Sequence, residues 1–144
     1  MRHHCHNTLL LIGKSESVMA AKQALLLEPD STKPVLDFSL LLPPPASLQQ
    51  AKRNKTFIQA LKRWRTQNWS TQSNGVLTNM KEDKQSLQIQ FTTIWSPPIK
   101  VYQALAAQWP NLGYVYLYHN SKAFLWGMAW YQDGLWTVHE TMYA

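Results

Sequence analysis

Six cations, Lys52, Arg53, Lys55, Lys62, Arg63 and Arg65, fall between positions 52 and 65 in a segment without acids. Elsewhere the charges cancel: Arg2, Lys14, Lys22 and Lys33 balance Glu16, Glu28, Asp30 and Asp37, and Lys81, Lys84, Lys100 and Lys122 balance Glu82, Asp83, Asp133 and Glu140. The net charge of +6 therefore sits in one segment, suited to holding phosphates or an acidic protein surface. Imidazole and thiol chemistry gathers in His3, His4, Cys5 and His6. Neighbours on an extended chain point to opposite sides, so these four cannot converge on one ion, and no metal site is expected. Cys5 with His119 or His139 is a thiol–imidazole pair to weigh, since such partners meet in space. The chain has no phosphate-cradling glycine loop, no paired-carboxylate segment with polar surroundings that would split two pKa values, and no nucleophile motif, so neither an enzyme nor a cofactor is expected. Seven Trp and six Tyr, with Tyr114, Tyr116 and Tyr118 in alternation, supply the side chains that dominate cores and contact patches alike.

At 144 residues the chain fits one domain, 1–144, large enough for a self-sufficient core. A single cysteine excludes an internal disulfide and suits a reducing compartment, the cytoplasm of a host cell. No apolar run reaches the length of a membrane span.

The clearest supersecondary unit is 87–110. Leu87, Ile89 and Phe91 alternate with Gln88, Gln90 and Thr92 as a strand with one buried face, and Trp95 is expected to close it as a buried anchor. Ser96 is a candidate cap, with Pro97 and Pro98 in the first turn of a helix starting at Pro97. Val101, Leu105 and Trp109, with Tyr102 and Ala106, give that helix one stripe toward the sheet, until Pro110 and Gly113 end it. Earlier in the chain, 8–12 reads as a strand stopped by Gly13. Ser15 precedes a helix in which Val18, Ala21 and Ala24 or Leu25 recur, and 35–42 reads as a strand cut off by Pro43, Pro44 and Pro45. Ser47 is expected to cap a long helix to about Gln67, whose stripe is Leu48, Ala51, Ile58, Leu61 and Trp64 or Arg65; the cations take its remaining face. Residues 66–86, polar and turn-prone around Asn74-Gly75, read as a loop-rich mobile insert. A hairpin follows, 114–118 and 123–131, ending at Asp133-Gly134. One strand offers a stripe of tyrosines, and the other sets Phe124, Trp126, Met128 and Trp130 against Leu125, Gly127 and Ala129.

This order implies an α+β protein of the ferredoxin-like kind. Two split β-α-β units interleave in a two-layer sandwich with a mainly antiparallel sheet, helices on one face, an extra helix inserted after the second strand and an added C-terminal hairpin strand. Helices on one face would leave the other free to expose aromatic surface.

Cys5-His6-Asn7, Pro43-Pro44-Pro45, Asn68-Trp69-Ser70-Thr71, the segment 91–98 with Trp95-Ser96-Pro97-Pro98, Trp109-Pro110 and the tyrosine-rich hairpin with Gly127 together resemble the YubB-type ferredoxin-like domain proteins of plasmids and phages. Ser70, Thr71, Gln72 and Ser73 stand where that pattern has Gly-Thr-Lys-Trp, and His119 where it has an acid. The resemblance implies a home on a mobile genetic element. Joined to the residue inventory, it leads to a non-enzymatic accessory protein, an anti-defence (anti-CRISPR-like) inhibitor. Its expected partner is a host defence protein or nucleoprotein complex, held through Lys52, Arg53, Lys55, Lys62, Arg63, Arg65 and Trp69 with exposed aromatics. A DNA mimic is not expected, because mimicry of phosphate needs net acid and this chain is basic. The alternative is a single-stranded DNA or RNA binder whose sheet face presents Tyr114, Tyr116 and Tyr118.

Overall fold

The computed structural model describes residues 3–49 and 54–142. β1 (His4–Ile12) leads into α1 (Ser15–Leu25), then a two-stranded ribbon of β2 (Leu26–Leu27) and β3 (Val35–Leu36). α2 (Lys55–Trp69), β4 (Val76–Asp83), β5 (Ser86–Ile94) and α3 (Ile99–Gln108) follow, and β6 (Gly113–Asn120), β7 (Leu125–Gln132) and β8 (Leu135–Met142) complete the chain. The main sheet has six antiparallel strands in the order β4-β5-β1-β6-β7-β8. Its first four strands reproduce the two interleaved split units, with β5 between β1 and β4 and β1 between β5 and β6; β7 and β8 widen the sheet beyond them.

The core lies between this sheet and the helices. Leu9 and Leu11 of β1 and Leu87, Ile89 and Phe91 of β5 meet Val18, Ala21 and Leu25 of α1 and Val101, Tyr102, Leu105 and Ala106 of α3. The alternation in β5 and the Val101, Tyr102, Leu105 and Ala106 part of the α3 stripe are thus buried as the sequence predicts, whereas Trp109, its last expected member, stands half-buried at the C-cap beyond Gln108.

Several boundaries differ, each for a local reason. Of residues 35–42 only Val35–Leu36 form a strand, in the two-stranded ribbon and not in the main sheet, because Asp37 captures the chain. Its Oδ1 accepts from the Ser39 N–H at 3.0 Å and the Ser39 hydroxyl at 2.6 Å, folding Phe38–Leu40 into a 3-10 turn. One edge strand of the sheet is β4, inside the segment predicted to be a loop-rich insert at 66–86. Two features hide it: its exposed side chains beyond Val76 are polar, and a bulge between Leu77 and Asn79 breaks the period of two. The long helix begins at Lys55, because Asn54 accepts from the Phe57 N–H at 2.8 Å, while Ser47 stands in the separate 3-10 turn Ala46–Leu48.

The third helix begins at Ile99 rather than Pro97. The Ser96 hydroxyl donates to the Ser70 carbonyl at 2.7 Å and caps nothing. Trp95 is not a buried anchor: its φ of 74° turns the ring outward, 47% exposed, near His3. Its backbone does the anchoring, with its N–H on the His3 carbonyl at 2.7 Å and its carbonyl accepting from Asn120 Nδ2 at 2.7 Å. Asp133-Gly134 does not end the sheet. With φ values of 52° and 82° it makes a two-residue hairpin turn into β8, a strand the sequence reading lacked.

Candidate functional site

α2 carries the basic segment as far as it is described. Lys52 and Arg53 lie outside the described residues. Lys55, Lys62 and Arg63 are exposed, and no acid stands on the helix. Arg65 belongs to a different environment. Its guanidinium lies 5.1 Å over the Trp69 ring, and its charge reaches Asp37. Burial alone would raise the Asp37 carboxyl, but the hydrogen bonds from Ser39 and Asn74 and the Arg65 charge outweigh it and hold the pKa below the usual carboxylate value. Trp69, grouped by the sequence with the partner contacts, is a core residue. It is 1% exposed, its Nε1 donates to the Leu42 carbonyl at 3.0 Å, and its ring packs edge-on against Phe38 and Trp64. The sequence could not separate these roles, because a Trp at a helix C-terminus serves core and contact equally well.

Tyr114, Tyr116 and Tyr118, the alternative contact set, also face inward. They are between 1% and 2% exposed, under the helix layer. Tyr116 stacks on Tyr102 of α3 at 3.6 Å, and the Tyr114 hydroxyl donates to the Trp109 carbonyl at 2.7 Å. The Tyr118 hydroxyl donates to Glu140 on β8. Burial raises all three phenols above their ordinary value.

The opposite face of the sheet is the surface the fold leaves open. Across five strands it is formed by the even positions of β1, β5 and β7 and the odd positions of β6 and β8. None of these residues is buried, and none is Lys, Arg, Asp or Glu; the edge strand β4 adds Lys81 and Asp83 to the same face, opposite Gln88 and Ser86. Registered rows cross it: His6 beside His119 and Trp126, then Thr8, Leu117, Met128 and His139, then Leu10, Val115, Trp130 and Thr137. The imidazoles of His6 and His119 stack at 5.2 Å, and Trp130 stacks on His139 at 5.6 Å. Trp126 is 46% exposed. The aromatic stripe on the open face is therefore that of β7, not that of β6. The small inward residues of β7, Gly127 and Ala129, are the sequence signal for this, because they leave room for the tyrosines leaning across from β6.

The two basic and aromatic surfaces expected to act together are separated. α2 packs on α3 in the helix layer, so Lys55, Lys62 and Arg63 do not border the open sheet face. Cys5 is fully buried on the helix side, whereas the rings of His119 and His139 lie on the open side, so no thiol–imidazole pair forms. The Cys5 thiol is pushed up to about 12 by burial, which keeps it protonated and poorly nucleophilic. Among the described residues no three His, Cys, Asp or Glu side chains come together as a metal site. No described helix is long and apolar enough to cross a membrane.

Strand order, one-sided helix layer and open face define a ferredoxin-like α+β sandwich enlarged by a β-hairpin. The chain belongs to the family described as the ferredoxin-like domain in Api92-like protein, whose family model matches residues 68–141. Among solved structures it is similar to Api92 from Yersinia pseudotuberculosis, with a TM-score of 0.56 and 9% sequence identity, covering 100% of this chain and 99% of that one. At that identity the likeness shows the fold alone. No curated protein matches the chain.

Proposed function

We propose that this chain is a non-enzymatic accessory protein of a mobile genetic element, an anti-defence inhibitor that docks onto a folded protein of a host defence complex. The docking surface is the open sheet face around Leu117, Trp126, Met128 and Trp130. One observation carries the reading: across five of its six strands that face joins exposed Leu117 and Trp126 to partly exposed Met128 and Trp130 with no formal charge, Lys81 and Asp83 standing apart on the edge strand β4. The centres of protein–protein contacts are depleted of charge and enriched in aromatics and Met, whereas a single-stranded nucleic acid platform needs cations along its stacking rings. Lys55, Lys62 and Arg63, on the other layer, serve as a separate cationic patch that steers encounter with acidic surfaces. The plasmid and phage setting comes from the resemblance to YubB-type proteins, and it is what makes host defence the partner class.

Plaquing of a targeted phage on hosts that express the chain beside an active CRISPR–Cas system is the test. The wild-type chain should restore plaquing. The Leu117→Asp/Trp126→Asp variant should lose the effect while keeping its melting temperature, because both side chains are exposed, 42% and 46%. Failure of the wild-type chain to restore plaquing overturns the anti-defence reading, and an equally active variant overturns the docking face. Tight binding of single-stranded oligonucleotides, with log affinity falling linearly with log salt, would replace protein docking with nucleic-acid binding.

A further inference from the structure

The two edges of the main sheet are built differently. β4 is guarded: it carries a bulge and the charged run Lys81, Glu82 and Asp83, and Glu82 is fixed by Lys22 at 2.9 Å. These are the devices that stop one sheet from adding to another. β8 has none of them. Among the described residues it pairs with β7 on one side only, its register is unbroken, and it contains neither proline nor lysine. Its single charged side chain, Glu140, accepts the Tyr118 hydroxyl. Leu135 and Val138, on opposite faces of the strand, are 69% and 57% exposed.

The turn at Asp133-Gly134 fixes which backbone groups are free. A two-residue hairpin loop makes Gln132 and Leu135 a hydrogen-bonded pair, and the pattern alternates along an antiparallel ladder. Trp136, Val138 and Glu140 therefore direct their N–H and C=O groups away from β7.

We propose that this edge is a homodimer interface, in which β8 of a second copy pairs antiparallel with β8 about a two-fold axis perpendicular to the sheet. Outward-directed residues must oppose one another, and two registers share the longest overlap, centred on Val138 and on His139; the first avoids setting His139 against itself. Val138 then faces Val138 of the second copy, Trp136 faces Glu140, and Thr137 faces His139. No like charges are opposed, so the strand is complementary to itself. Two six-stranded sheets join into one. The perpendicular axis keeps both helix layers on one side and both open faces on the other, so the surface assigned above to docking becomes continuous across the dimer. The proposal does not rest on that assignment.

Sedimentation velocity of the full chain over a concentration series tests it. The wild-type chain should reach twice the 16.7 kDa of one chain. Val138→Pro removes an N–H that β7 does not use, so it should leave the hairpin intact and the species monomeric. Val138→Lys, which sets like charges across the axis, should do the same and covers the case in which the proline variant fails to fold. The Leu117→Asp/Trp126→Asp variant should remain dimeric, which keeps this proposal separable from the docking face. A wild-type chain that stays monomeric at every concentration overturns the proposal, including the case in which it pairs β8 with an extended peptide instead. A dimer that survives both Val138 substitutions also overturns it, since the interface then lies elsewhere.

Discussion

Gly127→Ala probes the contact that ties the added hairpin to the rest of the sheet. Tyr118, Gly127 and Glu140 lie in register on β6, β7 and β8, and the Tyr118 ring crosses over Gly127 to reach the Glu140 carboxylate. A Cβ at position 127 would stand 2.2 Å from Tyr118 Cζ and 2.4 Å from both Cε2 and the hydroxyl oxygen. Those distances leave no room, so the ring must leave its place. Displacing a packed side chain costs about 1–3 kcal/mol. Losing the hydrogen bond to Glu140, whose carboxylate is exposed, adds about 0.5–1 kcal/mol. The alanine returns about 0.5–1 kcal/mol in backbone entropy. A net loss of about 1–3 kcal/mol follows, which for a chain of this size lowers the melting temperature by roughly 3–12 °C. The assay is a double-mutant cycle in urea with Tyr118→Ala. With the ring gone, the methyl has open space, and Gly127→Ala should become neutral or slightly stabilising. Equal costs of Gly127→Ala in both backgrounds would refute the steric account, because the penalty would then not come from Tyr118.

Two further expectations concern the tryptophans and pH. Trp69→Ala should cost about 3–5 kcal/mol by denaturant midpoint, as burial of a whole indole and loss of the donor to the Leu42 carbonyl imply, whereas Trp95→Ala, with its ring half out of the protein, should cost less than about 1 kcal/mol. The opposite ranking would sink this assignment of core and surface. Stability should hold level through neutral pH and fall at alkaline pH, because burial raises the Cys5 thiol from 9.0 to about 12 and raises the phenols of Tyr102, Tyr114, Tyr116 and Tyr118 from 10.0. Groups whose folded pKa is raised stabilise fully below the unfolded value and lose that contribution as pH climbs toward the folded one, so thermal melts should decline from pH 9 upward. A melting temperature that rises across this range contradicts the burial of these groups.

Local pattern alone was enough for β5 and α3. The alternation of Leu87, Ile89 and Phe91 and the fourfold recurrence of Val101 and Leu105 are short-range periodicities, and one buried face satisfies each. The confinement of net charge to 52–65 is likewise a property of the sequence and needs no coordinates. What the sequence could not decide was which of two aromatic stripes faces water. Alternation divides β6 and β7 into two faces each, but Tyr and Trp satisfy a core and a surface equally well. The choice was made across the chain, by Tyr102 of α3 stacking on Tyr116 and by Gly127 making room for Tyr118, which sends Trp126 and Trp130 to the open side. The same holds for 35–42 and 76–83. Asn74 accepts from the Phe38 N–H at 3.0 Å and donates to Asp37 Oδ1 at 3.0 Å, so a residue far along the chain holds the first segment in its turn. The bulge in β4 exists only against the register of β5. Periodicity within a segment is written in its own residues; the side of the sheet it faces, and the partner that bends it, are settled by contacts between residues distant in sequence.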